Sequence, residues 1–321
     1  MAIPNSSFDE IVSTTLNRYS DSMADNIMNH NPLLKRLKAK GNTADVTGGA
    51  KITEQLMYAE NGTKKWYSGL EVLDVTESDV LTSADFDWKQ LNTNVVISGL
   101  DEAKNSGDKH TMHNLLKSRI RVAEITMQNE VAAALFYSNT ENSGKSIGGL
   151  QHLVADLPTS GTVGSIDSSA QTWWRNQFYD FSTLVITPSS TTITAAMNNI
   201  AIATMRGTDK PDLYVGDQTY FTYYLESLQD KQRFLSSEDA SAGFRGLKHW
   251  DGADVFYDSN CPASHMYALN TNYLFFRSHK DRKFRQLDRK SSINQDGTVI
   301  PLYWMGNMTV SNRSLQGLIL A

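Results

Sequence analysis

The chain contains one cysteine, Cys261. That excludes an intramolecular disulfide and a cysteine-built zinc site, and it fits a reducing cytoplasm. Next to Pro262 the residue reads as a small buried side chain. Long apolar runs are also missing. None approaches the roughly 20 residues of a membrane-spanning helix, and the densest, Val131–Phe136, sits inside an amphipathic pattern. The opening Met1–Glu10 has neither the basic leader nor the apolar core of a secretory signal. A soluble chain without a membrane partner is therefore expected. Charged residues make up only 20% of the chain, with a net charge of -5. A generic nucleic-acid binder needs clustered Lys and Arg to release counterions, so any DNA contact must be local. There is no internal repeat and no low-complexity tract.

Signatures of catalysis are absent as well. Gly144-Lys145-Ser146 matches the end of a phosphate-binding loop, but the required earlier glycine is Asn139, and the triplet follows a helix instead of a strand. His110 and His113 could face one direction on a helix, yet no third ligand accompanies them, and a polar helix start explains them. No nucleophile elbow, zincin motif or calcium loop occurs. Pairs such as Asp85 and Asp87, or Glu238 and Asp239, carry little information among 35 acidic residues. No catalytic, cofactor-binding or metal-binding residue is assigned, and no enzyme activity is expected.

At 321 residues and 40% hydrophobic content the chain can build a large core. Ser7 and Glu10 form a capping box ahead of Phe8, Ile11, Val12, Thr15, Leu16, Tyr19, Met23 and Ile27 at helical spacing. Asn31-Pro32 interrupts this helix, and Leu33 to Lys40 resumes it up to Gly41. Lys35, Arg36, Lys38 and Lys40 give this second piece a basic cluster, readable as a solvated helix face or as contact with acidic segments or DNA.

From Thr47 to Leu100 the helical period gives way to short strand-like runs, Lys51 to Ala59 and Glu71 to Val75, punctuated by Gly48-Gly49, Asn61-Gly62 and Ser68-Gly69. Asn61-Gly62 signals a hairpin turn, which puts Lys64, Lys65, Trp66 and Tyr67 near a loop tip. An isolated two-stranded excursion is marginal in water, so exposed aromatics there imply a neighbouring molecule. The longest helix runs from about Ser106 or Asp108 to Tyr137, with Met112, Leu116, Ile120, Ala123, Met127, Val131 and Ala134 on one face. Its length is roughly 45 Å. Arg119, Arg121, Glu124 and Glu130 decorate it as surface pairs. Strands and helices then alternate. A helix carrying Ile193, Ala196, Met197, Ile200 and Thr204 precedes the strand and aromatic helix of Pro211–Leu228, and the strand-rich Trp250–Pro262 and Met266–Phe276 follow, indicating an α/β layer. Lys283 to Asp288 and Thr298 to Val310 read as strands that pair back with Thr82 to Ile97.

The order in Pro211–Leu228, Trp250–Pro262 and Met266–Phe276 is a glycine-ended strand, an aromatic helix capped by Asp217, a Gly-led strand, a Pro-broken turn and another strand. It resembles the axial domain of the major capsid proteins of tailed bacteriophages, the Hong Kong 97-type capsid family. The long helix and its Gly-rich exit, Asn139–Leu150, resemble that family's spine helix and its link to the axial domain. The resemblance implies an α+β fold with an N-terminal arm (1–46), an extended hairpin loop (47–81), a peripheral domain with the spine helix (82–146), an α/β axial domain (147–277) and return strands of the peripheral domain (278–321).

It further implies self-assembly into hexamers and pentamers of an icosahedral head shell around double-stranded DNA, put together in the host cytoplasm. A portal protein at one vertex, decoration proteins and non-specific contact with packaged DNA are the other implied partners. Assembly contacts fall on Lys64, Lys65, Trp66 and Tyr67, and an interior basic arm on Lys35, Arg36, Lys38 and Lys40. Because the chain enters its arm directly, a separate scaffolding protein is expected. One variant of the family seals its shell with Lys–Asn isopeptide bonds. Lys64 and Lys65 lie in the right region for this, but no Asn or Glu is matched to them. An encapsulin-like compartment shares the architecture, and a soluble α/β enzyme is the remaining alternative.

Overall fold

The computed structural model describes residues 31–100, 109–229, 247–286, 290–291 and 296–321. The expected helix of Ser7–Ile27 lies outside these residues. Helix α1 (Pro32–Ala39) begins where the sequence indicates. Asn31 accepts from the amides of Leu33 and Leu34, and Pro32 occupies the first turn, where its missing N–H costs nothing. Leu33, Leu34 and Leu37 are at most 1% exposed, so this part of the chain is packed into its own core.

Two short strands follow, β1 (Asp45–Val46) and β2 (Ile52–Met57). β2 pairs antiparallel with β3 (Leu81–Phe86), from Ile52 opposite Phe86 to Met57 opposite Leu81. β4 (Lys89–Ser98) leads to the long helix α2 (Lys109–Ala134), which buries Ile120, Ala123, Met127, Val131 and Ala134 as the spacing predicts. The side chains of Met112 and Leu116, and those of His110 and His113, are outside the described residues. The helix ends at Ala134 instead of Tyr137. There the Leu150 amide turns back onto the Leu135 carbonyl and the Gly149 amide onto that of Tyr137. A Cβ on Gly149 would sit 2.5 Å from the Leu135 carbonyl oxygen, so only glycine permits this close exit.

Among the described residues the strands form a six-stranded sheet, a five-stranded sheet and two small ribbons. The six-stranded sheet is organised by its longest strand, β14 (Gly297–Val310). One edge of β14 carries β4, from Gly297 opposite Ser98 to Gly306 opposite Lys89. The other carries β11 (Leu274–His279), β12 (Arg285–Gln286) and β13 (Lys290–Ser291). β1 adds to β11 in parallel. Trp304 on β14 stacks with Phe276 at 5.2 Å and Phe284 at 6.0 Å. The return pairing therefore differs from expectation in two respects. β3 pairs with β2 and not with β14, because β14 has already given that edge to β4. Of Lys283–Asp288 only Arg285–Gln286 is strand, and 287–289 are outside the described residues.

The five-stranded sheet has the order β7 (Gln177–Asp180), β15 (Gly317–Leu320), β10 (His265–Leu269), β8 (Leu213–Gly216), β9 (Asp254–Tyr257). Helices α3 (Ile193–Thr204) and α4 (Gln218–Gln229) cover one face of it, where Ile193, Met197, Ile200, Tyr220 and Tyr224 form a second core. Asp217 caps α4 as read from the sequence, accepting from the Tyr220 amide at 2.9 Å.

Arg313, in the turn from β14 to β15, is fully buried. Its guanidinium donates to the Leu153 carbonyl (2.7 Å), the Ser168 hydroxyl (2.8 Å) and the Asn176 amide oxygen (3.0 Å). Burial pushes its pKa down to about 10, so the group stays charged at neutral pH. Burial, together with the Arg313 and Lys89 charges, pushes His152 down to about 4 and keeps that imidazole neutral. The planar fork joins three segments distant in sequence. Arg313→Ala would remove a donor from three buried groups, of which Asn176 Oδ1 keeps the Ala155 amide, and a loss of about 3 kcal/mol is expected in denaturant unfolding of the unassembled chain.

Candidate interaction surface

Between β2 and β3 the chain makes an excursion, residues 58–80, that forms no ladder of its own. Its two limbs run side by side. The Tyr58 amide donates to the Val80 carbonyl (3.1 Å), the Ser78 hydroxyl to Asn61 Oδ1 (3.2 Å), and Lys65 Nζ to the Val72 carbonyl (3.2 Å). The limbs reverse at Gly69, whose φ of 60° lies in the left-handed region that favours glycine. The tip is thus Ser68–Leu70, not Asn61–Gly62. Asn61 instead closes a local turn, its Oδ1 accepting from the Thr63 amide and hydroxyl, as Asn side chains do when they compete with a ladder. Glu71–Val75, expected as a strand, joins no ladder.

Lys64, Lys65, Trp66 and Tyr67 all lie on the outgoing limb, next to the tip. Lys64 contacts Glu60 and Lys65 pairs with Glu71 at 3.3 Å. Trp66 and Leu70 are as exposed as in an unfolded chain (101% and 105%), and Val72 (88%) and Val75 (93%) are nearly so. The last three escaped the sequence reading. The apolar run Leu70–Val75, broken by Glu71 and Asp74, was the signal, but it reads equally as an ordinary half-buried strand.

The base of the excursion is held firmly. Glu54 on β2 is buried, and Arg277 on β11 grips it through two hydrogen bonds of 2.8 and 3.1 Å, while the Thr309 hydroxyl of β14 donates to it at 2.9 Å. On the other side the Asp85 amide donates to the Gly164 carbonyl, and the Tyr58 ring meets Trp173 at 5.6 Å. A firm base and an uncovered apolar outer part make a projection suited to lying on another molecule.

A groove of about 460 Å³ lies between β4, the end of α2 and the helix exit, lined by Lys89, Leu91, Glu130, Val131, Lys145 and Trp304. Further along the outer face of α2, Val122 and Ile125 are exposed. Lys145 and Ser146 of the Gly144-Lys145-Ser146 triplet line this groove, after a turn where Asn142, Ser143 and Gly144 have φ of 52°, 58° and 74°. Lys89 Nζ donates to the Gly144 carbonyl, and the turn opens no helix onto a phosphate.

The basic cluster on α1 is largely engaged within the chain. Arg36 pairs with Asp212 (3.4 Å) and Asp254 (3.3 Å), and Lys40 with Asp212 (2.7 Å) and Asn272 Oδ1 (2.8 Å). Burial alone would raise the Asp212 carboxyl, but hydrogen bonds from Lys40 and Thr271 hold it below the usual range. Lys38 is half-buried, and Lys35 is exposed. Among the described residues no three His, Cys, Asp or Glu side chains are grouped to hold a metal ion, and no helix is long and apolar enough to cross a membrane.

No protein-family model and no curated protein matches the sequence. The fold is shared with solved structures at low identity. A chain of the Cyanophage A-1(L) capsid asymmetric unit is similar with a TM-score of 0.62 and 13% identity, over 87% of this chain and 90% of that one. A chain of the satellite phage P4 procapsid, solved with its size determination protein, gives 0.50 and 12% over 94% and 98%. The encapsulin SrpI of Synechococcus elongatus PCC 7942 gives 0.54 and 9% over 91% and 88%. The chain therefore has the α+β fold of Hong Kong 97-type phage capsid chains, as the resemblance implied.

The two parts of the projection should respond differently to truncation. Trp66→Ala and Leu70→Ala are expected to leave the stability of the unassembled chain within about 0.5 kcal/mol. Glu54→Ala, which leaves Arg277 without its carboxylate, should cost about 3 kcal/mol in the same denaturation measurement.

Proposed function

We propose that this chain is the major capsid protein of a tailed bacteriophage, a structural protein that assembles with copies of itself into the hexamers and pentamers of an icosahedral shell around double-stranded DNA. The carrying observation is the braced but uncovered projection of residues 58–80. Leaving Trp66, Leu70, Val72 and Val75 in water forgoes about 1.5–3 kcal/mol for each side chain that a partner could bury. Obligate association between identical copies supplies such a partner in every direction of a closed shell. The likeness in fold to phage capsid chains supports the same reading.

In this reading residues 47–81 are the extended loop, 82–146 with 278–321 the peripheral domain, and 147–277 the axial domain. Lys64, Lys65, Trp66 and Tyr67 contact a neighbouring copy, with Leu70 beside them. The groove under Lys145 and Trp304 is wide enough for an aromatic side chain and is a fitting seat for a neighbour's loop tip. The loop, 58–80, carries five carboxylates (Glu60, Glu71, Asp74, Glu77, Asp79) against Lys64 and Lys65, which suits a groove edged by Lys145.

A separate scaffolding protein, a portal protein at one vertex and decoration proteins are the expected partners, with assembly in the bacterial cytoplasm. The basic cluster of Lys35, Arg36, Lys38 and Lys40 would face packaged DNA, with Arg36 and Lys40 contributing less because Asp212 and Asp254 already neutralise them. An encapsulin-like compartment is the second reading, favoured by the likeness to the Synechococcus shell protein.

Negative-stain electron microscopy of the purified chain, alone and co-expressed with its neighbouring genes, tests the proposal. Closed shells, rings or tubes are expected, and Leu70→Asp should reduce assembled particles at least tenfold while the chain stays folded. A homogeneous monomer in every condition would overturn it. DNA inside the particles supports the phage reading, and a protein cargo supports the compartment. Denaturing gels of the particles should show only monomer, because no Asn–Glu pair is matched to Lys64 or Lys65.

A further inference from the structure

Where the exit of α2 meets the five-stranded sheet, one imidazole stands between a carbonyl and a carboxylate. His265 opens β10, and its Nδ1 lies 2.7 Å from the Ala263 carbonyl oxygen. Its Nε2 lies 3.3 Å from Asp156 Oδ1, three residues beyond the Leu150–Leu153 turn that packs on the end of α2. A carbonyl can only accept, so Nδ1 must carry its hydrogen. In a neutral ring that leaves Nε2 bare, buried without a hydrogen-bond partner and 3.3 Å from a carboxylate oxygen. The His265 side chain is only 15% exposed, so the ring has little water of its own, while Asp156 is half-exposed and keeps its charge. A second proton turns the same contact into an attractive pair between an imidazolium and a carboxylate.

We propose that His265 and Asp156 form a proton-operated clasp between the exit of the long helix and the five-stranded sheet, closed when the imidazole is charged and open when it is neutral. Every titratable group resolved around the ring favours the charged form or is uncharged. Asp217, at the start of α4, lies close enough to add its negative charge, with one carboxylate oxygen accepting from the Ser264 amide. Cys261 Sγ contacts the His265 carbonyl oxygen, and its thiol is kept protonated by burial and by the charges of Asp217 and Asp258. Tyr267, two residues along the strand with its ring 6.2 Å away, is held neutral chiefly by burial.

Desolvation by itself would push the imidazole down, but Asp156, the Ala263 carbonyl and Asp217 outweigh it and push the imidazole up. The sign of the linkage follows. A group whose folded pKa is raised contributes its full stabilisation below the ordinary histidine value of about 6.5 and loses it as pH rises through the folded value. The clasp is thus closed below the ordinary histidine value and opens as pH rises through the raised folded value. The same junction holds Phe136, from the end of α2, against Tyr267 at 6.2 Å, so opening releases an aromatic contact between the helix exit and the sheet.

The clasp lies within one chain and is independent of the assembly reading. Its test uses the full-length chain kept unassembled, by Leu70→Asp if needed. The His265 imidazole resonance, assigned by its loss in His265→Gln, is followed by NMR against pH, and hydrogen exchange is followed for residues 150–157 and β10. The expected result is a titration midpoint above 6.5 that falls in Asp156→Asn. Exchange in both segments should quicken as pH passes that midpoint, after correction for intrinsic rates. His265→Gln, which can donate to Asp156 at any pH, should abolish this step without loss of the fold. A midpoint at or below 6.5 that Asp156→Asn does not move would overturn the proposal. So would exchange with no step in the native chain, or with an identical step in His265→Gln.

Discussion

A buried carboxylate ties the base of the exposed loop to the main sheet of the molecule. Glu54 sits on β2, beneath the projection, and its two oxygens are satisfied by Arg277 from β11 and Thr309 from β14. A two-stranded ribbon such as β2–β3 has little independent stability in water. The ion pair, shielded by the sheet and backed by the stacking of Arg277 over the Phe275 ring, anchors that ribbon to the molecule's longest strand. Everything beyond Tyr58 takes its direction from this anchor and from the Asp85–Gly164 and Tyr58–Trp173 contacts, because the outer limbs have only a few side-chain and backbone contacts with each other.

The same strand links the two sheets. β14 runs from the edge shared with β4 to the turn that carries Arg313 and then becomes β15, which lies inside the five-stranded sheet. Arg313 fastens that crossover to the segment leaving α2 and to the residues ahead of β7. Helix α1 is fixed to the same body through Asp212, which collects Arg36, Lys40 and Thr271. Glu54, Arg313 and Asp212 are each buried or half-buried charges whose partners are far away in sequence. Such groups contribute less to net stability than to fixing one arrangement among several of similar burial. In the proposed shell, that would let each copy present the same surfaces to its neighbours.

Exposure and rigidity are divided sharply along the projection. Its base is packed from two sides, and its outer part is apolar and uncovered. An apolar patch of this kind favours association and invites non-specific aggregation unless a complementary surface is always present. The carboxylates interspersed along the limbs, Glu71, Asp74, Glu77 and Asp79, reduce that hazard by keeping isolated chains apart.

Local rules were enough to read much of the chain. Asn31-Pro32 marked the start of α1, the spacing of Ile120, Ala123, Met127 and Val131 marked the buried face of α2, and Asp217 marked the cap of α4. In each case the deciding physics spans only a few residues. The order of elements was likewise legible, and with it the fold class. Distant chemistry was not. Asn61-Gly62 looks like a turn in isolation, yet the reversal falls at Gly69, because the pairing of Tyr58 with Val80 and of Lys65 with Val72 sets where the limbs meet. Lys35, Arg36, Lys38 and Lys40 look like one free basic face, but Asp212 and Asp254, far along the chain, take up Arg36 and Lys40. The sequence by itself determined which segments are helical or extended and which faces are apolar. Tertiary structure alone decided which charges meet, which strand takes each edge of β14, and which apolar residues are left uncovered, since those depend on contacts across 200 residues that no local pattern encodes.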